Sequence, residues 1–168
     1  ESLFAVGHNY NRWMIEITDV DDLVNDDEVT VTTYRGLDDL STDASGEGFV
    51  AGGSQRVDAR WGQSFITTAK GKIVDGVLTT EPVKKVKVPW AMRFVGHYDV
   101  LDFQLQLELT PKTAKGIFAG YVGVDNWNNR LNRNWGTHHQ SYGTVSASSE
   151  YRAMLRLADG YPDPDTGA

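Results

Sequence analysis

Residues 126–142 form the stretch of the sequence whose side chains are best suited to recognising a ligand. Tryptophan and tyrosine rings can cover the apolar face of a sugar ring, while Asn, Gln, His and Arg side chains can hydrogen bond to its hydroxyl groups. The pattern therefore predicts a site for a carbohydrate or another small polar ligand. The candidate ligand-binding residues are Trp127, Asn128, Asn129, Arg130, Asn134, Trp135, His138, His139, Gln140 and Tyr142.

The same stretch also has a purely structural explanation. Trp127 and Trp135 can pack a loop onto the core, because tryptophan is mostly buried, and the asparagines can form turns. On this alternative the chain is a structural or interaction domain of a larger secreted or redox assembly, and the loop contacts other domains of the parent protein. Trp61 and Trp90, each beside a turn residue, are secondary aromatic candidates.

Histidine side chains make a metal-dependent enzyme the third hypothesis. His138 and His139 are adjacent, and adjacent side chains of a strand point to opposite faces. A metal site would therefore draw on His138, His8 or His97 together with an aspartate, since imidazole is a common metal ligand. The sequence does not identify a metal.

Carboxylate pairs for glycoside cleavage would have to lie about 5 to 10 Å apart. Asp102 and Glu108 lie on one face of one predicted strand, about 20 Å apart along it, so they are not such a pair. Asp125, beside Trp127, is the best single acid in a candidate pocket. One acid is not a mechanism, so we expect a non-catalytic domain and assign no catalytic residue.

Two acidic clusters could hold calcium through oxygen ligands. Neither has the spacing of a calcium-binding loop, so we expect no cofactor and keep calcium as an alternative to ordinary turns. The first cluster consists of Asp19, Asp21, Asp22, Asn25, Asp26 and Asp27. The second consists of Asp163 and Asp165 beside Gly167.

The formal charge of −7, from 16 basic and 23 acidic side chains, argues against nucleic acid as a partner. A nucleic-acid binder needs a basic face to displace counterions from phosphates, and no run approaches the ~18 apolar residues of a membrane helix. We therefore expect neither nucleic acid nor membrane as a partner. Strands and acidic loops rich in Gly, Asn, Asp and Thr favour an exported, bacterial-type protein, either extracellular or periplasmic.

The elements that must position these residues are predicted mainly by period-two alternation. Asp102 to Leu109 places Phe103, Leu105, Leu107 and Leu109 on one face, as in a half-buried antiparallel strand. Its predicted partner is 116–124. Further strands are predicted at 13–18, 28–34, 64–74, 76–80 and 83–88, with Asp75-Gly76 as a hairpin turn.

The spacing of Tyr151, Met154, Leu155 and Ala158 predicts one helix over Ala147 to Asp159, ended by Gly160. Several strands and one helix favour a mainly antiparallel all-β fold, either a β-sandwich or an open, barrel-like sheet with one C-terminal α-helix. With 168 residues and no linker-like segment in the middle, the chain is expected to form a single β-rich domain over 1–168.

Overall fold

The computed structural model describes residues 12–38, 43–45, 50, 52–59, 65–89, 97–129, 147–158 and 160. The chain divides into two compact units, Glu1–Gly120 and Tyr121–Ala168, and each is described here by itself. The prediction of a single domain over 1–168 stays a prediction.

Antiparallel β-structure dominates the described residues, and this confirms the predicted fold class. β-Branched and aromatic residues fill the strands, as expected for a pleated and half-buried surface. The strands are β1 Arg12–Thr18, β2 Asp26–Gly36, β3 Thr67–Val74, β4 Val77–Thr80, β5 Val83–Pro89, β6 His97–Leu109 and β7 Ala114–Tyr121. The predicted C-terminal helix is present as α1, Ala147–Leu157, which ends two residues before the predicted end at Asp159.

Neighbouring strands β1, β2, β3 and β4 pair in sequence order, all antiparallel. The long strand β6 then pairs with β4 over 106–108 and with β5 over 97–103, again antiparallel. β7 also pairs with β6. Every predicted strand listed above is therefore present, although β7 ends at Tyr121, before the predicted end at Val124.

The turn between β3 and β4 is the tight hairpin that the sequence predicts. Asp75 and Gly76 both have positive φ angles, 50° and 77°. Two consecutive residues in this region are what a two-residue turn needs if its twist is to match that of the strands it joins. The Asp-Gly pair therefore sets the register of this hairpin, with Val74 opposite Val77.

One face of the sheet is buried, and we call it the core face. Along β2 the buried side chains alternate, and the last two of them are polar: Val29, Val31, Thr33 and Arg35. Directly opposed residues of antiparallel strands point to the same face. Trp13 of β1, which pairs with Arg35, therefore lies on the core face as well.

The buried residues of β6 have even numbers in the first half of the strand and odd numbers in the second half, a change of parity part-way along. Tyr98 and Val100 are buried in its first half, and the buried residues in its second half are Phe103, Leu105 and Leu107. Asp102, at the change, has a φ of 45°. A bulge-like irregularity of this kind lets both halves present apolar side chains to the core face.

Two glycines bring β7 close to β6. A β-carbon at Gly116 would overlap the carbonyl oxygen of Gln106, and one at Gly120 would overlap the side chain of Val100. Only residues without a side chain allow this approach, which is a common reason for glycine inside a strand. The approach brings Phe118, midway between them, against Phe103 of β6, with 5.8 Å between the ring centroids.

In the unit 121–168, residues 124–129 are helical and are followed, after an interval outside the described residues, by α1. Glu150 lies in the first turn of α1 and Arg156 in the last, where each charge complements the helix dipole. No helix in the described part of the chain is long and apolar enough to span a bilayer.

Candidate functional site

The helical segment 124–129 carries the first of the predicted ligand-binding residues. It begins just after β7, and the Trp127 amide donates to the carbonyl oxygen of Gly123 at 3.0 Å, closing its first turn. Trp127 and Asn128 are half-buried, whereas Asn129 is exposed. The segment therefore carries an indole ring and two amides within one helical turn.

Asn126 has the least satisfied polar group of this segment. Its side-chain oxygen Oδ1 is buried and has no hydrogen-bond partner among the described residues. Leaving a buried acceptor unsatisfied costs about 1–3 kcal/mol, so such atoms call for an explanation. Sequence reasoning noted Asn126 as the start of the polar stretch but did not include it among the site residues.

Asp125 is held by a tyrosine of α1. The Tyr151 hydroxyl donates a hydrogen bond of 2.6 Å to Oδ1 of Asp125. This bond to a carboxylate raises the pKa of the Tyr151 phenol above its ordinary value. Asp125 is exposed, and its bond to Tyr151 ties the helical segment to α1. In this arrangement the Asp125 carboxylate is a hydrogen-bond acceptor that fixes the helical segment to α1. The sequence did not indicate this role.

The other predicted site residues have no described position in the structure. They lie outside the described residues: Arg130, Asn134, Trp135, His138, His139, Gln140 and Tyr142. The secondary aromatic candidates Trp61 and Trp90, the histidine His8 and the second acidic cluster lie outside them too. The prediction for each of these residues stays a prediction.

The unit 1–120 contains a buried ion pair that sequence reasoning missed. The Arg35 Nε and Asp58 Oδ2 atoms are 3.2 Å apart, and the two side chains are 4% and 0% exposed. The Arg35 guanidinium also lies over the ring of Phe65, 5.3 Å from its centroid. A buried charge must be paired, and here Asp58 supplies the opposite charge while Phe65 supplies a cation–π contact.

Two segments distant in sequence meet at this ion pair. The Asp58 amide donates to the Arg35 carbonyl oxygen at 2.7 Å, and the Leu37 amide donates to the carbonyl oxygen of Arg56 at 2.9 Å. Outside these bonds, Arg56 makes an exposed ion pair with Asp38 at 2.6 Å. We call these paired segments, 35–38 and 56–58, the neck. Their contacts indicate a structural role for Arg35 and Asp58.

His97, the only described histidine, belongs to a mixed cluster at the start of β6. Its ring packs edge-on against Phe65, with centroids 5.4 Å apart, and its Nε2 lies 3.4 Å from Oδ1 of Asp99. The other oxygen of Asp99 lies 2.9 Å from Nζ of Lys85. In the described ranges, no three side chains of the metal-binding types are grouped to hold a metal ion.

The first acidic cluster forms the turn between β1 and β2. The Asp26 carboxylate accepts backbone hydrogen bonds from Asp21 at 2.7 Å and Glu28 at 3.1 Å, and the first of these lowers the pKa of Asp26. Asp22 accepts a bond from the amide of Val24 at 2.8 Å. These oxygens therefore shape the turn itself, and calcium binding here stays a prediction.

The chain matches no protein-family model, no curated protein and no solved structure. The function must therefore be argued from the residues themselves.

Proposed function

We propose that this chain is a non-catalytic recognition domain of an exported protein, and that it binds a carbohydrate or another small polar ligand through residues 126–142. The observation that carries the proposal is the buried Asn126 oxygen, which has no hydrogen-bond partner among the described residues and is followed in the helical segment by the half-buried residue Trp127.

A polyhydroxylated ring fits this pair of groups. A ligand hydroxyl can donate to the Asn126 oxygen, which has no donor among the described protein groups. The indole of Trp127 offers an apolar surface to the C–H face of the same ring. The neighbouring amides of Asn128 and Asn129 can both donate and accept, as the rim of hydroxyl groups on a sugar requires.

The Asp125–Tyr151 bond supports recognition more than catalysis. A fixed acceptor at the start of the helical segment holds the neighbouring Asn126 and Trp127 in place relative to α1. Binding-site residues that are already held in place lose less conformational entropy when a ligand binds. Tyr151 is thus a positioning residue of the proposed site.

The experiment is a glycan array probed with the full chain, followed by calorimetric titration of the best ligand. Trp127→Ala is expected to weaken binding at least about tenfold, since it removes the stacking surface. Asn126→Ala is expected to weaken it about three- to tenfold, the value of one hydrogen bond. Leu157→Ala, which removes an 81% exposed apolar side chain from α1, is the matched control and leaves binding unchanged.

Circular dichroism of each variant separates loss of binding from loss of fold. If Trp127→Ala unfolds the chain, the tryptophan belongs to the core and the site is misplaced. If the folded wild-type chain binds no glycan and no other polar ligand, the recognition proposal fails.

A second function, that of an interaction domain in a larger assembly, is favoured by the surface of β7. Each of its residues is exposed, and they include Ile117 at 66% and Phe118 at 50%. Large apolar side chains exposed along one strand are a common feature of protein contact surfaces. Light scattering of the wild type and of Ile117→Lys at matched concentrations tests self-association through this strand. A monomer at all concentrations counts against contact between copies.

A further inference from the structure

Helix α1 borders a pocket that the polar site at residues 126–142 does not use. The pocket has a volume of about 540 Å³, and the described residues that line it all belong to α1: Ser149, Arg152, Leu155 and Arg156. Ser149, Arg152 and Arg156 follow one another at spacings of three and four, so they lie along one side of the helix. The volume is in the range of small-molecule sites, ~300–1,000 Å³.

Two exposed arginines supply the charge of this pocket. Arg152 and Arg156 form no ion pair or hydrogen bond with any described residue. The acid of α1, Glu150, is two and six positions before them and therefore lies on another side of the helix. The β-carbons of the two arginines are one turn apart, about 5–6 Å, a spacing at which like charges destabilise a helix. An anion bound by both guanidinium groups removes that repulsion.

A phosphate monoester matches this pair of groups in charge and in geometry. It carries about −1.5 to −2 charges at pH 7 and three strong acceptor oxygens, against two positive charges on the arginines. Each guanidinium presents its N–H donors in a planar fork that suits phosphate oxygens. Leu155, which is 53% exposed, adds an apolar surface to the same pocket. The pocket therefore offers contacts to a phosphate group and to an apolar group attached to it.

We propose that the pocket lined by Arg152, Leu155 and Arg156 is a binding site for a small organic phosphate monoester. Both guanidinium groups donate hydrogen bonds to the phosphate oxygens, and the organic part of the ligand contacts Leu155. Asn126 and Trp127 do not line this pocket, so the proposal does not depend on the polar site at residues 126–142.

Three probes that share parts of one ligand test the assignment: phenyl phosphate, phenol and inorganic phosphate. Calorimetric titration of the full chain in phosphate-free buffer measures each affinity. We expect phenyl phosphate to bind at least about tenfold more tightly than phenol, which lacks the phosphate group. We expect it to bind about threefold more tightly than inorganic phosphate, which lacks the ring. Binding of phenyl phosphate no tighter than that of phenol, or none at all, overturns the proposal, and equal affinity for inorganic phosphate overturns the organic ligand.

Substitutions on α1 test the position of the site. Arg152→Gln and Arg156→Gln each remove one charge but keep a good helix former, and each is expected to weaken phenyl phosphate about tenfold. Leu155→Ala is expected to weaken phenyl phosphate about threefold and to leave inorganic phosphate unchanged.

The matched control is Lys112→Gln, which removes the same charge from an exposed position between β6 and β7 and leaves both affinities unchanged. Far-UV circular dichroism shows that α1 is retained in each variant. If the folded arginine variants bind phenyl phosphate as tightly as the wild type, or if Lys112→Gln weakens it equally, the assigned site is wrong.

Discussion

Two Arg–Asp ion pairs lie within a few residues of each other at the neck, and they differ in distance and burial. Arg56 and Asp38 approach to 2.6 Å, with 76% and 25% of their side chains exposed. Arg35 and Asp58 approach only to 3.2 Å, but their side chains are 4% and 0% exposed. The shorter contact is therefore the one that water reaches.

Burial, not distance, decides what each pair contributes. In water the attraction between two charges is screened, and holding two long side chains in place costs entropy, so exposed pairs contribute little. In the core each charge has lost its hydration, so removing one partner leaves the other uncompensated. The two neck pairs let this difference be measured in one part of the chain, between the same types of residue.

The largest expected effect is that of Asp58→Asn. The substitution keeps the shape of the side chain but leaves the Arg35 charge buried without its counter-charge, at a cost of about 3–5 kcal/mol in the free energy of unfolding. Urea denaturation followed by circular dichroism measures it as a large fall in the midpoint. A midpoint near that of the wild type would show that Arg35 does not depend on Asp58.

The next effect is that of the double substitution Arg35→Met with Asp58→Leu. Replacing both charges by apolar side chains removes the need to bury any charge, and such replacements are often neutral or stabilising. We expect the double variant to be more stable than Asp58→Asn by at least about 2 kcal/mol. If it is no more stable than the single variant, the pair contributes through specific bonds that packing cannot replace.

A smaller effect is expected for Asp26→Asn, where a carboxylate is satisfied by backbone amides instead of by arginine. Because the bond from Asp21 lowers the pKa of Asp26, its stabilisation is present above the ordinary carboxyl pKa of ~4 and is lost as the pH falls through the lowered value. The variant should therefore differ from wild type at pH 7 and approach it as the pH falls below the lowered pKa.

Thermal unfolding over this pH range measures the difference between the two chains. A gap between the wild type and Asp26→Asn that widens as the pH falls would contradict the assigned direction.

The smallest effect is expected for Asp38→Asn at the neck. The substitution releases an Arg56 guanidinium that is already largely exposed to water. The pKa of Arg56, which the hydrogen bond to Asp38 raises, lies far above the pH of the measurement. The urea midpoint of the variant should equal that of the wild type within error, at low and at high salt. A fall comparable to that of Asp58→Asn would remove the distinction between the two pairs.

Local patterns predicted the strands well and the charged contacts poorly. The alternation from Phe103 to Leu107 and the Asp75-Gly76 turn depend only on neighbours in the chain, so the sequence contains the whole signal. The first half of β6, from His97, was missed because the parity change at Asp102 breaks the alternation. Arg35 and Asp58 are 23 positions apart and meet only through folding, and no spacing rule links them.

The candidate site shows the same limit. Composition alone indicated Trp127, Asn128 and Asn129, and a helical segment does display them. The unsatisfied oxygen of Asn126 and the bond from Tyr151 to Asp125 depend on how residues distant in sequence pack, and a single sequence carries no direct signal for either.

The irregularity at Asp102 makes β6 respond to changes of length in a way that depends on where they fall. Val100 and Phe103 are three positions apart, and both are buried. Loss of the Asp102 codon leaves them two apart, so a regular strand keeps the whole apolar series on one face. Loss of one codon between Phe103 and Leu107 instead turns the residues on one side of it to the opposite face. Sequences descended from this one should therefore tolerate a deletion at position 102 better than one elsewhere in the second half of β6.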